Sequence, residues 1–133
     1  MLLDTSFLID RLEGPPEAVE MSTDIDRSGD TIRIPSPALF ELRIGARAAV
    51  HVDRETAQIE ARLGSYEVVP FTAEDARAAG ALQENLAGAG KPLGPVDVQI
   101  VGVALSRSET LVTGDRKLAR LGKGLHAQSY RPP

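Results

Sequence analysis

Short apolar runs alternate along this chain with longer stretches of helical periodicity, and that alternation limits the fold more than any single motif does. Residues 1–3, 31–34, 66–71 and 110–113 read as short strands, and 125–130 as a last edge strand. Helices are predicted over 7–12, 17–27, 37–50, 54–63, 73–87, 95–105 and 116–121. Gly14, Pro15 and Pro16 break the first helix; Ser28, Gly29 and Asp30 form a turn; and residues 88–94 form a loop around Lys91 and Pro92. Ser36 and Pro37 give the third helix a start signal, as Thr72 does for the fifth. The segment from Pro95 to Leu105 fits both strand alternation and helical spacing; its Gly–Pro start and its length favour a buried helix. Strands separated by helices specify a parallel sheet covered on both faces. With 133 residues and no linker, repeat or low-complexity stretch, a single domain over 1–133 is expected.

The helices differ in how they should be covered. Ala18, Met21 and Ile25 stripe the second; Ala76, Ala79, Leu82 and Leu86 stripe the fifth; Ala57, Ala61 and Ile59 are the apolar positions of the fourth. The third is apolar nearly all round, interrupted by Glu41, Arg43 and Arg47, so one side is expected on the sheet and another on a second subunit. Residues 131–133 are expected to be loose.

Four acids stand out by position. Asp4 and Asp115 each end a predicted strand, Asp97 lies in the first turn of a buried helix, and Glu41 sits inside an apolar one. Taken singly, Asp4 equally suits a helix cap, Asp97 a positive helix end and Asp115 a turn. Glu41 needs a partner if buried, and neither Arg43 nor Arg47 lies three or four residues away. Together in the crevice at the carboxyl ends of the strands, they would repel one another and call for a hard divalent cation, Mg²⁺ or Mn²⁺. Thr5 and Ser6 offer hydroxyls that suit the first helix start. With Thr113, they are also placed to hydrogen-bond the acids or metal-held waters.

Composition removes other chemistries. The absence of cysteine excludes disulfides and thiolate metal sites, and His51 and His126 are isolated and read as structural. A net charge of −4 argues against a generic basic nucleic-acid binder but allows a nuclease with its acids concentrated at one metal. No apolar run is long enough for a membrane span and the N-terminus lacks signal-peptide character, so a cytoplasmic protein is expected.

The segments LLDTSFLID, SPALFELRIGA, LGPVDVQIVGVAL and TLVTGD, in that order and separation, resemble the PIN-domain family in its VapC-type toxin branch. The resemblance implies a three-layer α/β/α fold with a central, mainly parallel sheet of four or five strands. It implies a Mg²⁺- or Mn²⁺-dependent endoribonuclease, the toxin of a type II toxin–antitoxin pair, with a small cognate antitoxin and a likeness to dimeric relatives. Its site would be Asp4, Glu41, Asp97 and Asp115. Arg43, Arg47, Lys91, Arg116 and Lys117 would be candidates for phosphate contacts with RNA, though each also reads as ordinary surface charge. The chain departs from the family pattern at Val98, Val101 and Val103, where alanine is frequent, and at Arg116–Leu118, where an aromatic residue often follows the last acid.

Two other enzyme classes lose to this reading. An aspartyl-nucleophile phosphatase wants an acid two residues after Asp4, where Ser6 stands, and a receiver domain wants acids where Leu2 and Leu3 stand. The rival of a different class is a catalytically silent acidic pocket that captures a basic partner segment.

Overall fold

A computed structural model describes residues 1–47 and 52–131; the side chains of residues 12, 13, 46, 47, 52, 53, 55, 56, 59 and 62 lie outside that description. His51 and Pro132–Pro133 therefore fall outside the described residues, as does the side chain of Arg47. In chain order the elements are β1 (Leu2–Leu3), α1 (Thr5–Glu13), α2 (Pro16–Ser28), β2 (Arg33–Pro35), α3 (Ser36–Arg47), α4 (Val52–Leu63), β3 (Glu67–Val69), α5 (Ala73–Gly88), α6 (Pro95–Arg107), β4 (Leu111–Thr113), α7 (Arg116–Ala119) and β5 (Ala127–Ser129).

The five strands form one sheet in the order β3-β2-β1-β4-β5, and every pairing is parallel. The chain winds from β1 outward to β3, then returns to the other side of β1 for β4 and β5. Right-handed crossovers in opposite directions put helices on opposite faces, giving the three-layer α/β/α arrangement. The reversal falls between β1 and β4, which pair Leu2 with Leu111 and Leu3 with Val112. Ligands bind beyond the carboxyl ends of strands at such a switch point. Asp4 follows one of these two strands and Gly114–Asp115 the other.

The core is made by Leu2, Leu3, Ile34, Leu111 and Val112 from the sheet, by Phe7 and Leu8 from α1, and by Val98, Ile100, Val101 and Val103 from α6. The Pro95–Leu105 segment is thus a helix, with Gly94 as its cap and Pro95 in its first turn. On α2 the buried residues are Ala18, Met21 and Ile25, as the spacing predicts.

Several local expectations are corrected. Thr5 and Ser6 do not cap α1; Asp4 does, accepting from the Phe7 N–H at 3.0 Å. The short Asp side chain reaches that N–H from the strand end, which frees both hydroxyls for longer-range partners. Ala57 and Ala61 of α4 are exposed, while Leu63 at its end is buried. Ala76 is exposed as well, and its neighbour Asp75 is 1% exposed. Asp75 completes a capping box with Thr72 and accepts from the Ser106 hydroxyl on α6. Burial works against its charge, but hydrogen bonds from Ser106 and Thr72 and the nearby Arg107 hold its carboxyl below the ordinary range. Arg131 is anchored rather than loose, its guanidinium 2.6 Å from Asp10.

Helices α5 and α6 approach closely at Gly102. A Cβ on Gly102 would lie 2.7 Å from the Ala79 Cβ and 2.8 Å from the Asp75 carbonyl oxygen. Neither neighbour can swing away, so the helices would have to separate. Gly102→Val is expected to cost about 1–3 kcal/mol. Gly80→Ala, in the same helix pair but facing open space, is expected to stabilise by roughly 0.5–1 kcal/mol. Urea unfolding of the two variants checks the pair, and equal effects would refute the close approach.

Candidate active site

Asp4 is buried where β1 ends, held to β4 by its own N–H, which donates to the Val112 carbonyl at 3.1 Å. Its Oδ1 accepts from the Ser6 hydroxyl at 2.7 Å and the Phe7 N–H at 3.0 Å, and its Oδ2 accepts from the Thr113 hydroxyl. Burial pushes the carboxyl above the ordinary range. These three donors pull against that shift, and the charge of Asp115 adds to it.

The two hydroxyls also accept. Gly114 N–H donates to Ser6 Oγ at 2.8 Å, and Asp115 N–H donates to Thr113 Oγ1 at 3.0 Å. Each hydroxyl therefore links the Asp4 carboxylate to the backbone just after β4. Asp115 in turn caps α7, its Oδ1 accepting from the Lys117 N–H at 2.8 Å. Across the crevice, Glu41 of α3 accepts from the Thr5 hydroxyl at 2.6 Å. All three hydroxyls named from the sequence thus bond to acids of the set.

Asp97, in the first turn of α6, accepts no hydrogen bond among the described residues. Its carboxyl is pushed above the ordinary range, first by burial, then by the charges of Glu41, Asp115 and Asp4, with Lys117 acting the other way. The fold therefore brings four acids from distant parts of the chain within range of one another's fields. It does not draw them tighter than that: among the described residues, no three Asp, Glu or His side chains stand close enough to chelate an ion.

The basic candidates separate. Arg43 is exposed and paired with Glu60 at 3.0 Å. Arg116 is exposed at the start of α7. Lys117 lies closest to the acids in effect, since its charge reaches Asp97. It shares with Lys91 a groove of about 640 Å³ beside the crevice.

The sequence reading missed Tyr130. Its ring packs edge-on against Phe7, with centroids 5.1 Å apart, and its hydroxyl bonds to Asp10 and, at 3.3 Å, to the Ser6 carbonyl. Burial and the Asp10 carboxylate push the phenol above its ordinary value of 10.0. A Cβ on Gly114 would overlap the Tyr130 hydroxyl and come within 2.9 Å of Arg131 Nε. A larger residue there would have to displace the ends of the Tyr130 and Arg131 side chains where the tail crosses the loop after β4, and the Gly before Asp115 was the only sequence sign of it.

Comparison with known proteins follows the same lines. The PIN domain profile matches residues 1–124. The chain is 31% identical over 130 residues to the tRNA(fMet)-specific endonuclease VapC of Shigella flexneri, covering 97% of this chain and 96% of that one. The solved DNA-bound VapBC from Salmonella typhimurium superposes with a TM-score of 0.85 at 28% identity, over 98% of this chain and 97% of that one. VapBC2 from Rickettsia felis, bound to a promoter DNA fragment, gives a TM-score of 0.88 at 22% identity over 98% of both chains, a likeness of fold.

The raised Asp97 carboxyl has a consequence for stability. A folded-state pKa above the unfolded value favours folding below the unfolded pKa, and that contribution is lost as pH rises through the folded pKa. Asp97→Asn is therefore expected to stabilise the metal-free protein at pH 7 by roughly 0.5–2 kcal/mol. The gain should shrink as pH falls toward 3.8, the ordinary aspartate value. Urea unfolding between pH 4 and 7.5 in EDTA checks this, and a gain independent of pH would sink it. Thr113→Val, which keeps the shape but leaves Asp4 Oδ2 without its donor, is expected to cost about 1–3 kcal/mol by the same measurement.

Proposed function

We propose, since this chain belongs to the PIN-domain family in its VapC-type toxin branch, that it is a metal-dependent endoribonuclease and the toxin of a type II toxin–antitoxin pair. One observation carries the reading: at the β1/β4 switch point the charge of Asp97 meets those of Glu41, Asp115 and Asp4.

The donor set suits a hard divalent ion in kind, because every side chain offers carboxylate oxygen and the mutual repulsion is of the sort a cation relieves. Mg²⁺ keeps several of its waters, so a carboxylate set wider than direct chelation still matches it. Asp4, Asp97 and Asp115 would hold Mg²⁺ or Mn²⁺, with Glu41 completing the set. When bound there, the ion would supply Lewis acidity and a water of lowered pKa for in-line attack on a phosphodiester.

The chain's own groups do the rest. Ser6, Thr113 and the Phe7 N–H fix the direction of the Asp4 oxygens. Asp4 Oδ1 already accepts two hydrogen bonds, whereas Glu41 Oε2 has no donor among the described residues. Glu41 is thus the better placed to take the proton of the attacking water. Lys91 and Lys117, which line the groove, are the phosphate contacts, with Arg116 a further candidate at the start of α7. Arg43 would first leave an exposed ion pair of little strength.

The same premise bears on partners. Phe40 and Ile44 of α3 are 57% and 51% exposed, an apolar surface suited to a second copy of the chain. A small antitoxin is the expected partner, as in the VapBC assemblies, and the cytoplasm the expected compartment. No helix among the described residues is long and apolar enough to cross a membrane. The tRNA(fMet) named for the Shigella relative is the first substrate to try.

A silent acidic pocket for a basic partner segment remains the second reading, favoured by the absence of three chelating acids among the described residues. Incubation with total RNA with and without Mg²⁺, followed by mapping of the ends, separates the two. The nuclease should raise its Tm with Mn²⁺ and cut only with metal present. Asp4→Asn, which preserves a good helix cap, should lower cleavage by at least about 10²-fold with the fold retained. Undiminished cleavage in that variant would defeat the site assignment, and neither Mn²⁺ binding nor cleavage by the wild type would favour the silent pocket.

A further inference from the structure

We infer that the groove beside the acids is a phosphate track that holds the RNA strand without reading its sequence, an inference that rests on the nuclease reading above. The groove lies between the C-terminal end of α5 with the loop after it, and α7 with the turn that follows. Lys91 comes from the first wall, and Lys117, Arg120 and Lys123 from the second. In a chain of net charge −4 with fifteen Lys and Arg, four of them line this one groove, and among the described residues no Asp or Glu does. All four are exposed, and none forms an ion pair among the described residues. Their charge is directed at whatever enters.

Both walls are fixed in place before any ligand arrives. Gln83 grips the backbone of Leu93 twice, donating to its carbonyl at 2.6 Å and accepting from its N–H at 3.0 Å. The Lys91 N–H donates to the Leu86 carbonyl at 2.8 Å. On the other side, Gly122, Lys123 and Gly124 all have left-handed backbones, with φ of 67°, 56° and 85°, in a turn closed by the Leu125 N–H on the Gly122 carbonyl at 2.9 Å. A lysine in that conformation is uncommon, and here it stands at the groove edge. Cations on a preformed scaffold lose little freedom when they meet an anion.

Both walls also lead to the acids. Four residues beyond Leu93 the chain reaches Asp97, and α7 begins at its cap Asp115. A strand lying in the groove would therefore continue into the acidic crevice, with Lys117 at the junction.

The lining tells against base recognition. Leu86, Leu93 and Leu121 line it too, but among the described residues no aromatic ring does. Base stacking uses such rings, and Asn85 is the one neutral side chain in the described lining with hydrogen-bonding groups for a base edge, so four cations against one amide favour phosphate.

The test is RNA binding in EDTA, where no cleavage competes, measured by anisotropy with short single-stranded RNAs of two unrelated sequences. Lys91→Glu with Lys123→Glu should weaken both RNAs alike, by about tenfold or more at 0.1 M salt, and flatten the salt slope by roughly 1.4, at ~0.7 per phosphate lost. Arg27→Glu with Arg77→Glu makes the same change in net charge outside the groove and should do much less. Unchanged binding in the groove variant, or equal loss in the control pair, overturns the inference, and so does a loss confined to one sequence. Failure of the nuclease reading looks different: the wild type would not cut RNA with Mg²⁺, whatever the groove variant does to binding.

Discussion

A buried carboxylate at the junction of two adjacent parallel strands governs this molecule. Asp4 is 3% exposed, and a bare charge there would be costly. The cost is offset by a helix N–H and two hydroxyls, and those hydroxyls reach on to the backbone of Gly114 and Asp115. One side chain thus starts α1, joins the ends of β1 and β4, and sets where α7 begins. The loop that carries Asp115 takes its position from the same network, so the geometry of the acid set is tied to the fold at its centre.

The crevice works against stability while the layers around it work for it. Asp97 is half-buried with no hydrogen-bond donor among the described residues and three like charges within reach. A chain selected for stability alone would place a neutral residue there. The repulsion is borne by tightly packed neighbours: α6 carries Val98, Ile100, Val101 and Val103 into the core and closes on α5 at Gly102. Asp75 shows the contrasting case, a buried acid whose partners are all donors and whose carboxyl is held low. The two aspartates differ in what surrounds them, and only one of them is exposed to the charges of other acids.

How much of this was legible depends on the range of the interaction. The alternation of strands and helices, the parallel sheet and the stripe of α2 follow from local periodicity, and the structure shows all three. The helix from Pro95 was decided by its start signal and length, again local properties. The four acids could be singled out because each sits at a strand end or a helix position with its own local signature. Their mutual distance was not legible, because it is set by contacts between segments far apart in sequence; among the described residues they do not close to chelating range. The helix start shows the same limit: Asp4, Thr5 and Ser6 all suit a cap, and which of them caps is a contest among neighbours that Asp4 wins, while the two hydroxyls bond to the acids, as their placement also suggested. The Tyr130 contact with Asp10 and the gathering of Arg120 and Lys123 beside Lys91 both join distant segments, and no spacing rule reaches them.

The arrangement of charge resolves an apparent contradiction. An acidic chain with an acidic crevice should repel a polyanion, and four carboxylates facing one another make the repulsion strongest where a phosphodiester would have to lie. Two devices can reverse the sign: a cation among the acids and positive charge along their rim. The second is part of the chain itself. Lys117 is the point of contact between the two fields, since its backbone N–H holds Asp115, its charge opposes the rise in the Asp97 carboxyl, and its side chain lines the groove. The net charge of −4 therefore says little about what the protein binds. Under the nuclease reading, separation of the two signs onto neighbouring surfaces, fixed by α6 and α7, would give a strand one place to be held and another to be cut.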